Sequence, residues 1–392
     1  MKLPVACGAL GGLLLCAAVA VSSGPAARLL DPAAGARWTL PPPYQRIIPA
    51  PAAAAPGGPG YTLGGRTVIR TAAGSSEVRA IGERLAAGWR ADARLPLPVR
   101  ATDTGAGTDG IRLRLDPYAG GFGEEGYRLQ CDEDGILLTA HRPAGLFRGT
   151  QTLRQLLPVE SGGPWTVAGG TVTDTPRFAH RGATVDVGGA HVTLAGVKRY
   201  VDQLALYKIN VLRTHLAGGS WSRADQAELL RYARGRYMEV VPQGQVPAGV
   251  IIYAEHGAAE EAELARAVRA GARVILAPAD RGASVRRAYT GDPGAYLPGV
   301  PRQAVLGVEA APSPSPGGRG FTSAFPQVLG TAELGWSPAG ALDWAGYRQR
   351  LAAQGPRLDA LGVRYPRSPE VPWPAPLRAP AAGPPHGGAT TP

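Results

Sequence analysis

Residues 177–216, RFAHRGATVDVGGAHVTLAGVKRYVDQLALYKINVLRTHL, constrain the fold of this chain most, because they switch between two incompatible periodicities in a set order. Residues 182–187 are a short apolar run bounded by arginine and glycine, the pattern of a strand buried on both faces. Val197, Val201, Leu204, Ala205 and Tyr207 then recur at helical spacing and form one apolar stripe. Thr193 stands where a hydroxyl can cap the first turn, and residues 209–216 return to a strand pattern. Strand, helix and strand in this order predict a βαβ unit, whose crossover makes the two strands parallel.

The flanking sequence divides into two folding patterns. Residues 61–158 read as α+β, with strands TVIRT, IRLRL, YRLQ and ILLTA and a helix over 77–91. The acidic run Asp132, Glu133 and Asp134 ends in Gly135 between two alternating strands, which predicts a hairpin turn rather than a pair of catalytic acids. GAGTDG at 105–110 fits the dinucleotide-binding fingerprint, but a strand rather than a helix follows it, so no nucleotide fold is expected there.

From residue 177 to 365 the pattern becomes α/β, with strands at 182–187, 209–216, 237–241, 250–253, 273–276 and 304–308. This span is about 190 residues, whereas a complete (β/α)8 barrel takes about 250. The third and fourth strands are joined only by PQGQVPAG, too short for the helical crossover that parallel neighbours require. Either these strands are not neighbours, or a barrel has been cut and rejoined between them.

The 177–216 segment closely resembles the opening of the catalytic barrel in glycoside hydrolase family 20, the β-N-acetylhexosaminidases. IIPAP at 47–51 and EGYRLQCDEDGILLTAHRPAGLFRGTQTLRQLLP at 125–158 resemble that family's N-terminal α+β domain. GARVILAPADR, GDPGAYLPGVPRQAVLGVEA, TAELGWSP and RLDALGVRYPRSPEVPWP resemble its later barrel strands and C-terminal end. The resemblance implies an N-terminal α+β domain at 47–158 and an α/β (β/α)8 TIM-type barrel at 177–365 with about six of its eight strands.

It also implies a chemistry, in which the substrate's acetamido oxygen is the nucleophile, a Glu protonates the leaving oxygen and an adjacent Asp orients the acetamide. In the family these two acids follow a Gly-Gly at the end of the fourth strand, inside the interval that residues 242–249 replace. Other expected contacts are missing too. Gly189 stands in the place of a sugar-gripping Arg, Gly218 and Gly219 lie where acidic surroundings are expected, and Gln243 and Gln245 replace Glu and Asp. Glu255 takes the place of a pocket-wall Trp, and APSPSPGGRG replaces the Trp and Glu expected just after Glu309.

No catalytic pair is therefore identifiable. Glu255 and Glu309 are the candidate replacement acids, and Asp186 and His215 are candidate substrate contacts. Asp280 is a further carboxylate at a strand end, and each of these residues also has a structural reading as a loop-holding or packed group. The expectation is a chain that is inactive or strongly impaired, a pseudoenzyme. The alternative is an active β-N-acetylhexosaminidase with an acid recruited from Glu255 or Glu309. Its partner, where binding persists, is an N-acetylhexosamine-containing glycan.

Composition narrows the remaining classes. Residues 1–23 carry one lysine, an apolar stretch and small residues near Ala18 and Ala20, which predicts a secretory signal peptide and a mature chain without a membrane span. Residues 24–46 read as a flexible lead-in and 366–392 as a Pro-rich disordered tail. Only Cys131 of the three cysteines lies beyond residue 23, and the six histidines lack paired zinc spacing, so neither a disulfide, a metal nor another cofactor is expected. The net charge of +11 comes almost wholly from scattered arginines, without the one-sided basic face that reads nucleic acid.

Overall fold

The structure is a computed structural model that describes residues 39–375, apart from 94, 103–108, 160–162, 187–191, 216–220, 243, 254–257, 278–283, 291, 295, 296, 298 and 311–323. The side chains of residues 91–93, 186, 215, 258 and 259 also lie outside the description. So do the expected signal segment 1–23 and most of the lead-in and tail.

The first lobe contains β1 (Ala53–Pro56), β2 (Tyr61–Leu63), β3 (Ile69–Ala72), α1 (Ser76–Ala93), β4 (Val99–Thr102) and β5 (Ile111–Leu115). It continues through β6 (Tyr127–Cys131), β7 (Ile136–Ala140), α2 (Pro143–Leu156), β8 (Trp165–Val167) and β9 (Gly170–Asp174). Seven strands form one mixed sheet in the order β1-β9-β6-β7-β5-β3-β4, with α1 packed on β3 and β4 and α2 on β6 and β7. Burial alternates strictly along β6, as expected of a strand with one covered face. The acidic run is the predicted hairpin: Cys131 pairs with Ile136, and Asp132 Oδ1 accepts from the amides of Asp134 and Gly135, both at 3.1 Å.

The second lobe begins with β10 (His180–Asp186), α3 (Leu194–Leu206), β11 (Val211–His215), α4 (Arg223–Arg234) and β12 (Glu239–Pro242). It continues with β13 (Val250–Tyr253), α5 (Ala258–Arg269), β14 (Arg273–Leu276), α6 (Val285–Tyr289), β15 (Val305–Ala310), α7 (Gln327–Trp336) and α8 (Trp344–Ala360). The predicted βαβ unit is present, and Thr193 caps α3 by accepting from the Gly196 amide at 3.1 Å.

All six strands of this lobe are parallel, in the order β12-β11-β10-β15-β14-β13. The pairing of the last strand, β15, with the first, β10, is the contact that closes a barrel. An open doubly wound sheet would instead place the fourth strand beside the first. Every consecutive pair is adjacent except β12 and β13, which are the two edges of the sheet. The fold is thus an incomplete TIM barrel following an α+β domain, opened between its third and fourth strands.

The short link explains how the chain spans the opening. Gly244 and Gly249 adopt positive φ, +87° and +73°, and turn the chain at either end of residues 244–249. Fully stretched, the six residues 244–249 reach roughly 20 Å, more than the roughly 14 Å left by two absent strands. Both edges remain only half covered: Val240, Val241, Val250, Ile251 and Ile252 are all partly exposed.

Residues at both ends of the described chain are more ordered than their composition suggests. Pro43–Arg46 forms a 3-10 turn, and buried Tyr44 donates to the Ala168 carbonyl at 2.9 Å. Beyond Pro366, Arg367 pairs with Asp359 at 2.9 Å, Val371 is buried, and Trp373 packs on Tyr365 with ring centroids 5.1 Å apart. Local aromatic and ionic contacts outweigh the extended bias of a Pro-rich segment here. No helix among the described residues is long and apolar enough to cross a membrane.

Candidate functional site

The barrel interior is organised around Glu309, the penultimate residue of β15. In the strand register Glu309 lies beside Gly182, and Arg213 of β11 lies beside Thr184 of β10. This places His180, Thr184, Arg213 and Glu309 on one face. Glu309 Oε1 accepts from Thr184 Oγ1 at 2.9 Å and Arg213 Nε at 2.7 Å, and Oε2 from His180 Nε2 at 3.1 Å and Arg213 Nη2 at 3.2 Å. The four donors match the roughly four acceptor sites of an ionised carboxylate.

Gly182 makes the arrangement sterically possible. A Cβ there would lie 2.7 Å from Glu309 Cγ and 2.8 Å from His180 Nε2. The carboxylate is 3% exposed, and burial alone would raise its pKa. The hydrogen bonds from His180 and Arg213, together with the guanidinium charge, outweigh that effect and hold Glu309 below the ordinary carboxylate range. Arg213 also ties the replacement link to the barrel, donating from Nη1 to the Gln245 carbonyl at 2.8 Å.

Asp186 and His215 are register partners at the C-terminal ends of β10 and β11, the end at which barrel enzymes gather their chemistry. They lie one dipeptide, about 7 Å, beyond the Thr184–Arg213 level. Their side chains, together with Gly189, Gly218, Gly219, Gln243, Glu255 and Asp280, lie outside the described residues.

A second polar network occupies the opposite end of the barrel and joins the two lobes. Glu125, before β6, accepts from Arg148 Nε at 2.7 Å and Arg181 Nη2 at 2.6 Å. Burial would raise its pKa, but the charges and hydrogen bonds of Arg181 and Arg148 bring it down to about 2. Nearby, Lys208 is fully buried and donates to Asp174 at 2.8 Å and to Tyr127 at 3.0 Å, while Trp336 Nε1 donates to Asp174 at 2.9 Å. These groups lie at the N-terminal ends of the strands, where barrels place stabilising rather than catalytic residues. Sequence reasoning passed over His180, Arg181 and Arg213. For Arg181 and Arg213 the available signal was an arginine inside a buried strand, which calls for a partner.

Comparison with known proteins agrees with this architecture. Residues 44–175 match the model described as glycosyl hydrolase family 20, domain 2, and residues 178–219 match glycosyl hydrolase family 20, catalytic domain. A family 20 β-N-acetylhexosaminidase structure from Streptomyces coelicolor A3(2) superposes with a TM-score of 0.74 and 31% identity, covering 86% of this chain and 100% of that one. A mutant Streptomyces plicatus β-hexosaminidase in complex with its product, GlcNAc, superposes with a TM-score of 0.76 and 31% identity, with the same coverage of both chains.

Among curated proteins, a β-N-acetylhexosaminidase of Cellulomonas fimi is 24% identical, covering 73% of this chain and 89% of its own length. That alignment runs over 442 residues, longer than the 392 of this chain, so it crosses segments of the relative with no counterpart here. A Porphyromonas gingivalis β-hexosaminidase is 28% identical over 51% of this chain, which spans 30% of that protein. Family-model matches in both lobes and full coverage of homologous structures place this chain in glycoside hydrolase family 20.

Proposed function

We propose that this protein is an exported family 20 chain that has lost glycosidase turnover and retains at most the binding of an N-acetylhexosamine-containing glycan. The observation that carries this reading is the opening between β12 and β13, at the interval to which the resemblance assigns the adjacent acid pair. A general acid must hold its proton near working pH, so its pKa is ordinarily raised. Glu309 is shifted the other way, and its acceptor sites are already filled by Thr184, His180 and Arg213. Export rests on the leader-like residues 1–23.

The competing reading, an active β-N-acetylhexosaminidase with Glu309 as acid, makes a separable prediction. A chromogenic β-N-acetylglucosaminide should be turned over at background rate by both the natural protein and Glu309→Gln. Measurable turnover that disappears in the variant would establish the competing reading.

A further inference from the structure

A groove between the two lobes lies outside the barrel and is not used by the proposed function. Helices α1 and α2 form one wall and α3 and the end of α8 the other, enclosing about 490 Å³. This volume falls within the range of small-molecule sites, about 300–1,000 Å³. Leu85, Phe147 and Leu206 supply buried apolar surface, while Arg84, Arg154, Arg199 and Arg236 supply cationic lining. Among the described residues of the lining Asp202 is the one carboxylate, and it is already engaged by Arg236 and by Tyr232 Oη at 2.6 Å.

Among the described lining residues, arginines thus outnumber carboxylates four to one. Among the described residues, neither Arg84 nor Arg199 makes a hydrogen bond or ion pair, although Arg84 is half-buried. Burial and the neighbouring charge of Arg236 lower the Arg84 pKa by more than the charges of Tyr237 and Glu77 raise it. Past Arg154 a second hollow of about 200 Å³ continues along Leu206 and Leu361 and is flanked by Trp89 and Trp165. A cationic pocket opening onto tryptophan-lined space suits a ligand with an oxyanion at one end and a ring at the other.

We propose that this groove binds a phosphate or sulfate ester of a small ring compound, with the oxyanion held by Arg84 and Arg199. The test is calorimetric titration of the full chain at low salt with glucose 6-phosphate, glucose 6-sulfate, inorganic phosphate and glucose. Saturable binding of one or both esters, but not of glucose, is expected, and the two ester titrations distinguish a phosphate from a sulfate ligand. Arg84→Ala and Arg199→Ala should each weaken binding about tenfold, the effect of one charge-assisted contact. Arg100→Ala, on an exposed residue of β4, should leave affinity unchanged.

The absence of ester binding would overturn the proposal, as would equal weakening by Arg100→Ala, which would indicate non-specific attraction to a chain of charge +11. Should Arg84→Ala fail to fold, Arg199→Ala still decides the matter, because Arg199 is exposed on α3. The outcome is independent of glycosidase turnover, since the groove is built from helices outside the sheet.

Discussion

Removing the Arg213 guanidinium would leave Glu309 buried without its principal counter-charge. Arg213→Met is expected to destabilise the fold by about 3–5 kcal/mol, measured by urea denaturation. Combining it with Glu309→Leu should recover most of the loss, because the unpaired charge leaves together with its partner. A single variant as stable as the natural protein would show that the cluster does not hold the barrel together. Lys208 follows the same logic at the lobe interface, and its positive φ of +62° places a buried lysine where a helix more often ends in glycine. Thr193 was legible from sequence because capping is local. The Glu309 cluster was not, because it joins residues more than 90 positions apart that only the strand register brings together.

At the level of elements, the strands and the shortened link could be read from periodicity, and PQGQVPAG already left no room for the helical crossover of parallel neighbours, so that its two strands were either not neighbours or the edges of a cut barrel. Which strand lay beside which could not be read, since pairing of β15 with β10 is a long-range contact without a local signature. The open edges have a measurable consequence. Backbone amides of β12 and β13 should exchange with deuterium markedly faster than those of β10 and β15, which are flanked by strands on both sides. Equal protection across all six strands would indicate that something covers the edges in solution. Thr193→Ala should cost about 1 kcal/mol through loss of the α3 cap, a smaller effect confined to the element that begins the barrel's first crossover.

The whole molecule depends on the interface between its lobes, and Glu125 makes that dependence pH-sensitive. Its carboxyl titrates near 4.3 in an unfolded chain and at about 2 in the folded protein. The stabilisation is therefore complete above the unfolded value and disappears as pH falls toward 2. Glu125→Gln should be less stable than the natural protein at neutral pH, with the difference closing between about pH 5 and pH 2. A difference independent of pH would remove the ion pairs with Arg148 and Arg181 as its cause.

We propose that a family 20 framework persists here around a barrel that has lost its catalytic interval. The most direct test is turnover of a chromogenic β-N-acetylglucosaminide, measured on folded protein beside the Streptomyces coelicolor relative under the same conditions. The proposed loss of the acid and its orienting partner predicts a rate more than about a hundredfold below that of the relative, with no dependence on Glu309. A rate within that factor would contradict the account.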